Sequence, residues 1–151
     1  MTAFKAALVA GPATGACATA SLLLRLGCGA VFVAFGVGKF TSHASEVTSF
    51  RTYGLPSPEA FVYLIGVLEV VGGVLLIVGL ATRLAALILA GDMVGAIIVS
   101  GVGRGEMISL TLAPALLAGM LFLLYTGPGR RSLDHYLFSE RASGGLHSAS
   151  M

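Results

Sequence analysis

The stretch Gly66 to Leu76, GVLEVVGGVLL, sets one glutamate in a run of otherwise apolar and small residues. Its reading decides the fold. In water, such a run is a core segment with a stray charge. In lipid, it is the middle of a membrane-crossing helix, and Glu69 needs a reason to be there. Composition favours lipid. Of 151 residues, 56% are hydrophobic and 11% charged, against roughly a quarter charged in soluble domains. A soluble chain of this size cannot hide that much apolar surface. The net charge of +2 is too small and too dispersed for a nucleic-acid partner.

Outward from Glu69, the apolar run extends from Ala60 to Ala81. Two more follow, Leu84 to Gly103 with Asp92 as the acidic residue, and Met107 to Thr126 with no charge. A weaker one runs from Thr19 to Phe40, with Arg25 near one end and Lys39 near the other, both able to snorkel. Each is long enough to cross a hydrocarbon core of about 30 Å as a helix. Backbone groups in lipid must be satisfied within the segment, so these spans are helices. The expectation is an all-α membrane protein, a four-transmembrane-helix bundle.

The connections agree. LPSPEA places Ser57 as a cap, Pro58 at the first helical position and Glu59 in the first turn. GLATR is a tight turn that makes the second and third spans antiparallel neighbours, and Gly127-Pro128 ends the fourth. One side collects Lys5, Arg25, Arg83, Arg130, Arg131 and Arg141, the other Lys39, Arg51 and Arg104. By the positive-inside rule both termini are cytoplasmic. In the long outer loop, SEVTSFRTYG suggests an amphipathic turn with Val47 and Phe50 against the membrane. After the fourth span, Ser132 can cap a short amphipathic C-terminal helix with Asp134 in its first turn and Leu133, Tyr136 and Leu137 on one face, lying on the membrane surface. The domain organisation is a flexible, uncleaved tail over 1–18, the four-helix unit over 19–138 and a disordered tail over 139–151.

Helix association in lipid rests partly on close backbone contact. Ala30, Ala34 and Gly38 in span one, Gly66, Gly72 and Gly73 in span two, and Gly91 and Gly95 in span three are the candidates, within one chain or between copies in a homo-oligomer. Glu69 and Asp92 lie roughly 19 Å and 16 Å from the intervening turn, so both sit near the bilayer centre on adjacent helices. A carboxylate there costs roughly 2.5–3.5 kcal/mol on insertion scales. Arg25, Gly29, Phe32, Gly36 and Lys39 form one stripe on span one. Arg25 is the favoured partner of Glu69 or Asp92, because a guanidinium binds a carboxylate through two parallel hydrogen bonds; Lys39 is the alternative, and depth does not choose between them. The candidate ligand site is Arg25, Lys39, Glu69 and Asp92, with Tyr63, Phe32 and Phe35 as an apolar ring pocket and Glu69 as a proton-handling residue. The competing reading is that the charges fix helix register and the rings are core.

A quinone suits such a site, since its reduction consumes protons as well as electrons. No resident cofactor is evident. His43, His135 and His147 fall outside the spans, so haem ligation is not indicated, and GVGRGE follows a membrane span rather than a βαβ strand, so it is no dinucleotide fingerprint. Cys17 and Cys28, about 16 Å apart on one helix, are too far apart for an intrachain disulfide, and no metal-ligand spacing occurs. If electrons pass here, a partner protein or a lipid-soluble carrier brings them, so the chain alone is not a complete enzyme. A broken-helix transporter would need paired Gly/Pro interruptions; Pro114 alone gives a kink.

The segments LLLRLGCGAVFVAFGVGKF, YGLPSPEAFVYLIGVLEVVGGVLLIVGLATRLAA and GPGRRSLDHYL together resemble the DoxX family of small bacterial membrane proteins, over about residues 22–138. Gly-Pro-Gly followed by Ser-Leu-Asp carries most of that likeness, and Glu69 and Lys39 match family positions; Asp92 does not. The resemblance implies a four-helix bundle of the bacterial inner membrane. It further implies either a subunit of a redox or oxidative-stress assembly, linked to quinone and to thiol or sulfur oxidation with redox or stress proteins on the cytoplasmic side, or a non-catalytic scaffold that anchors cytoplasmic partners.

Overall fold

Four long apolar helices carry the chain back and forth. A computed structural model describes residues 15–129 and 132–134. Helix α1 runs over Gly15–Thr41, a short α2 over His43–Thr52, α3 over Pro58–Val78, α4 over Thr82–Ala96 and α5 over Met107–Thr126. A π-helical stretch, Ile97–Val102, prolongs α4. Among the described residues there is no strand. The helices α1, α3, α4 with its π extension, and α5 are each long and apolar enough to cross a membrane. Large apolar side chains such as Leu23, Leu64, Leu87, Ile98 and Leu121 point outward. In water that surface would drive aggregation; against acyl chains it is the solvated face. The protein is a multi-pass membrane protein in contact with the lipid bilayer. The tail expected over 1–18 is helical from Gly15 on; its residues 1–14, the tail expected over 139–151, and Tyr136 and Leu137 of the expected C-terminal helix lie outside the described residues.

The closest helix contact is between α1 and α3, and glycine makes it. A Cβ on Gly29 would stand 2.8 Å from the Gly73 carbonyl oxygen, one on Gly73 2.7 Å from the Gly29 oxygen, and one on Gly36 2.8 Å from the Gly66 oxygen. The two backbones therefore touch along an antiparallel register that sets Gly29 opposite Gly73 and Gly36 opposite Gly66. Gly66, Gly72 and Gly73 are at tight contacts as expected; the small residues expected in spans one and three are not. Ala30 and Ala34 are exposed, and Gly38, Gly91 and Gly95 have open space where a Cβ would be. The contact stripe is the one that carries Arg25, Gly29, Phe32, Gly36 and Lys39, one residue round the helix. Beyond this pair, Phe32, Leu76, Leu89, Met93, Leu116 and Met120 build the core shared with α4 and α5. Gly72 faces the Leu89 side chain and Gly119 the Cys28 sulfur; Cys17 and Cys28 are both free thiols.

The end of the bundle that holds the start of α1, the α3–α4 turn and the end of α5 is tied by polar contacts. Arg25, 1% exposed, donates from Nε to Leu76 O (2.9 Å), from Nη2 to Ile77 O (3.2 Å) and from Nη1 to Pro128 O (2.6 Å). A cation on the last carbonyls of α3 also meets the negative end of that helix. Gly79 closes α3 in the left-handed conformation (φ 76°), and a side chain there would collide with the Arg25 guanidinium. Ser21 Oγ donates to Gly127 O (2.9 Å). Asp134 is buried; its Oδ1 accepts from Ala81 N (2.8 Å) and its Oδ2 from Thr82 N (3.0 Å). Ala81 occupies the cap position of α4 without a side-chain acceptor, so a residue some fifty positions later caps that helix. Leu133 and Asp134 are helical, as expected from sequence, but the Asp134 side chain is plugged into the α3–α4 turn. Ser57 also departs from expectation: it holds the cap position of α3 in a left-handed conformation, but its hydroxyl makes no capping bond.

The α1–α3 register predicts a contrast. Gly73→Val forces the backbones apart and lowers the thermal midpoint in detergent, at a cost of about 1–3 kcal/mol, whereas Gly38→Ala leaves it unchanged or raises it.

A polar cavity at one end of the bundle

The half of the bundle beyond Gly36 holds a cavity of about 530 Å³. Its walls are apolar and aromatic, with Phe32 and Phe35 from α1, Phe50 from α2, Phe61 from α3 and Leu112 and Leu116 from α5. Into it come five charged side chains, one from nearly every element: Lys39 of α1, Glu46 of α2, Glu69 of α3, Asp92 of α4 and Glu106 just before α5.

Lys39 Nζ donates to Glu69 Oε2 at 2.8 Å, with the lysine side chain 12% and the glutamate 5% exposed. The lysine stem passes Gly66, whose missing side chain leaves it room, and reaches back one turn toward the bundle centre. This overturns Arg25 as the favoured partner of Glu69 or Asp92. The register puts Arg25 level with Ile77, at the end of α3, where free carbonyls satisfy the fork. Arg25 does not line the cavity. Lys39, at the other end of the same stripe, faces the half of the bundle that contains both acids. Asp92 also lines the cavity, within the field of Lys39, but its Oδ2 is buried with no hydrogen-bond partner.

Tyr63 is a second correction. It is 52% exposed on the outside of α3, with its ring 4.6 Å from that of His43 and 6.0 Å from that of Phe40. Phe32 is where the sequence reading put it, fully buried and in the cavity wall. Phe35 lines the cavity and is also partly exposed.

The outer loop holds residues that sequence reasoning missed. Helix α2 is a lid. Val47 is buried and Phe50 faces the cavity, so this helix turns its apolar side to the bundle, not to the membrane. Glu46, Phe50 and Tyr53 recur at helical spacing, which was the available signal. Glu106 was missed because GRGE reads as an ordinary polar turn. It accepts from Ser109 Oγ at 2.7 Å, and Ser109 Oγ lies 2.7 Å from Ser100 Oγ of the π stretch. That stretch, common at functional positions, sets Ser100 into the cavity wall. Among the described residues no group of three His, Cys, Asp or Glu is placed to hold a metal ion.

With this architecture in view, comparison with known proteins is informative. The DoxX family model matches residues 20–101, the segment that contains α1 through most of the π stretch.

The chain belongs to the DoxX family.

It is 36% identical over 141 residues to an uncharacterized membrane protein of Mycobacterium tuberculosis, Rv3486, covering 81% of this chain and 83% of that one. It is 33% identical over 126 residues to a protein of Bacillus subtilis named putative oxidoreductase CatD, covering 83% and 92%. A Haemophilus influenzae protein is 34% identical over 123 residues, covering 78% and 90%. No solved structure matches the chain.

Two outcomes follow from the site. Lys39→Met leaves a buried carboxylate without its cation and destabilises the DoxX protein by about 3–5 kcal/mol; the double variant Lys39→Met/Glu69→Leu recovers most of that loss in a thermal melt. At the lid, burial foremost, then the negative field of Glu106 beside it and that of Glu46, hold the Tyr53 phenol above its ordinary 10.0. Its folded-state value exceeds the unfolded one, so its contribution to stability is whole below about pH 10 and is lost as the pH rises through the raised value. A phenolate absorbance titration therefore shows a late-ionising tyrosine, and Tyr53→Phe removes it.

Proposed function

We propose that this DoxX protein is the membrane subunit of a redox assembly, and that its cavity receives the ring of a lipid-soluble quinone. The observation that carries this reading is an aromatic-walled cavity of about 530 Å³ with a Lys39–Glu69 ion pair in its wall. Such a volume suits a small-molecule ligand. A lysine ammonium can donate to a ring oxygen, and a carboxylate next to it can pass a proton as that oxygen is reduced. Reduction of a quinone takes two electrons and two protons. Glu69 and Asp92 are suited to the protons. The electrons come from a partner that oxidises a thiol or another sulfur compound. The printed name of the Bacillus subtilis relative, an oxidoreductase, supports a redox role. In this reading the basic residues near the termini face the cytoplasm, the membrane is the bacterial inner membrane, and the partner docks on the cytoplasmic side under oxidative stress.

The test uses membranes that contain the whole assembly. Mass spectrometry of the detergent-extracted protein shows a bound quinone and copurifying chains. Glu69→Gln lowers quinone-linked thiol oxidation by about a hundredfold while the variant remains in the membrane at normal level. Undiminished activity with only a lower melting temperature would instead make the pair structural and the protein a scaffold for its partners.

A further inference from the structure

The cavity carries more negative charge than its own cation can balance. Lys39 is the one cationic side chain among the described residues that line it, and four carboxylates face it, Glu46, Glu69, Asp92 and Glu106, from four different parts of the chain. The lysine ammonium is engaged at 2.8 Å by Glu69. Glu106 accepts the Ser109 hydroxyl. Asp92 has neither: Lys39 reaches it only through its field, and its Oδ2 is buried without a donor. Asp92 is half-buried in the cavity wall; a carboxylate placed there with no hydrogen bond is costly, and a missing donor is what a ligand can supply. The cavity wall also carries the rings Phe32, Phe35, Phe50, Tyr53 and Phe61, and ring faces attract cations in a poorly hydrated site.

We infer that the cavity is a binding site for an amphipathic amine, a protonated primary ammonium joined to an aromatic ring or short apolar chain, with Asp92 as its counter-ion. The ammonium brings charge and three N–H donors to the side of the cavity where both are lacking. The ring or chain fills the apolar wall. An anion of the same shape meets a wall of like charge, and a neutral analogue leaves Asp92 unbalanced. A divalent metal is disfavoured, since the described acids do not gather as a ligand set. This inference goes beyond the redox reading and uses only the shape and charge of the cavity.

The experiment measures binding to the full chain in phosphatidylcholine nanodiscs, by calorimetry corrected with empty nanodiscs. The probes are 4-phenylbutylamine, 4-phenylbutanol and 4-phenylbutyrate, which share one skeleton. The amine is expected to bind saturably and at least about tenfold tighter than the alcohol, with the butyrate weakest. Asp92→Asn reduces the amine to the level of the alcohol. Phe50→Leu, outside the packed core and so safe for folding, weakens the amine and not the alcohol. Equal binding of amine and alcohol, preference for the butyrate, or an amine affinity untouched in both variants would overturn the assignment. Loss of quinone-linked oxidation on Glu69→Gln bears on the redox role alone, so the two readings fail separately.

Discussion

The close approach of α1 and α3 is the constraint from which the rest of the molecule follows. Carbonyl oxygens of Gly73 and Gly66 rest where side chains of Gly29 and Gly36 would have been. In lipid there is no hydrophobic drive to bring helices together, and close van der Waals contact takes its place. That contact fixes the rotation of α1 and the register of the pair. Both cations of α1 are then committed: Arg25 lands on the terminal carbonyls of α3, and Lys39 lands one turn beyond Gly66, within reach of Glu69. Two residues on one helical stripe thus acquire opposite jobs, one structural and one in the cavity.

The two ends of the bundle differ for the same reason. At the terminal end the helices stay close, and the polar groups there are spent on backbone. Arg25 binds three carbonyls, Ser21 binds the Gly127 carbonyl, and Asp134 caps α4. The Gly-Pro-Gly and Ser-Leu-Asp segment, which carried the family resemblance, is a buckle that closes this end. At the far end α2 packs beside a cavity, and the polar side chains face a space instead of a backbone. A cavity, and whatever chemistry it performs, can therefore form at one end only.

The membrane sets how much these arrangements matter. Water would screen five charged groups about a cavity and blunt any preference among ligands. Surrounded by rings and aliphatic side chains, they act at low dielectric, where an unmatched carboxylate is expensive and a matched ammonium or reducible oxygen is strongly favoured. The lid helix strengthens this by setting Phe50 and Tyr53 between the cavity and the polar loop.

The amino-acid order by itself determined the four spans, the turn at residues 79–82, the stripe from Arg25 to Lys39 and the mid-span positions of Glu69 and Asp92. These are properties of one helix at a time, written in length, hydropathy and a period of 3.6. Family membership was legible too, in the segments around Glu69 and the closing Gly-Pro-Gly. The rest depended on which faces meet. Lys39 rather than Arg25 pairs with Glu69, Tyr63 points outward rather than to the cavity, Val47 and Phe50 turn inward, and Asp134 caps a helix fifty residues away. Side chains on a helix show their spacing in the sequence, but their partners are set by the rotation and register of a neighbouring helix, and only the contact at Gly29 and Gly73 decided those.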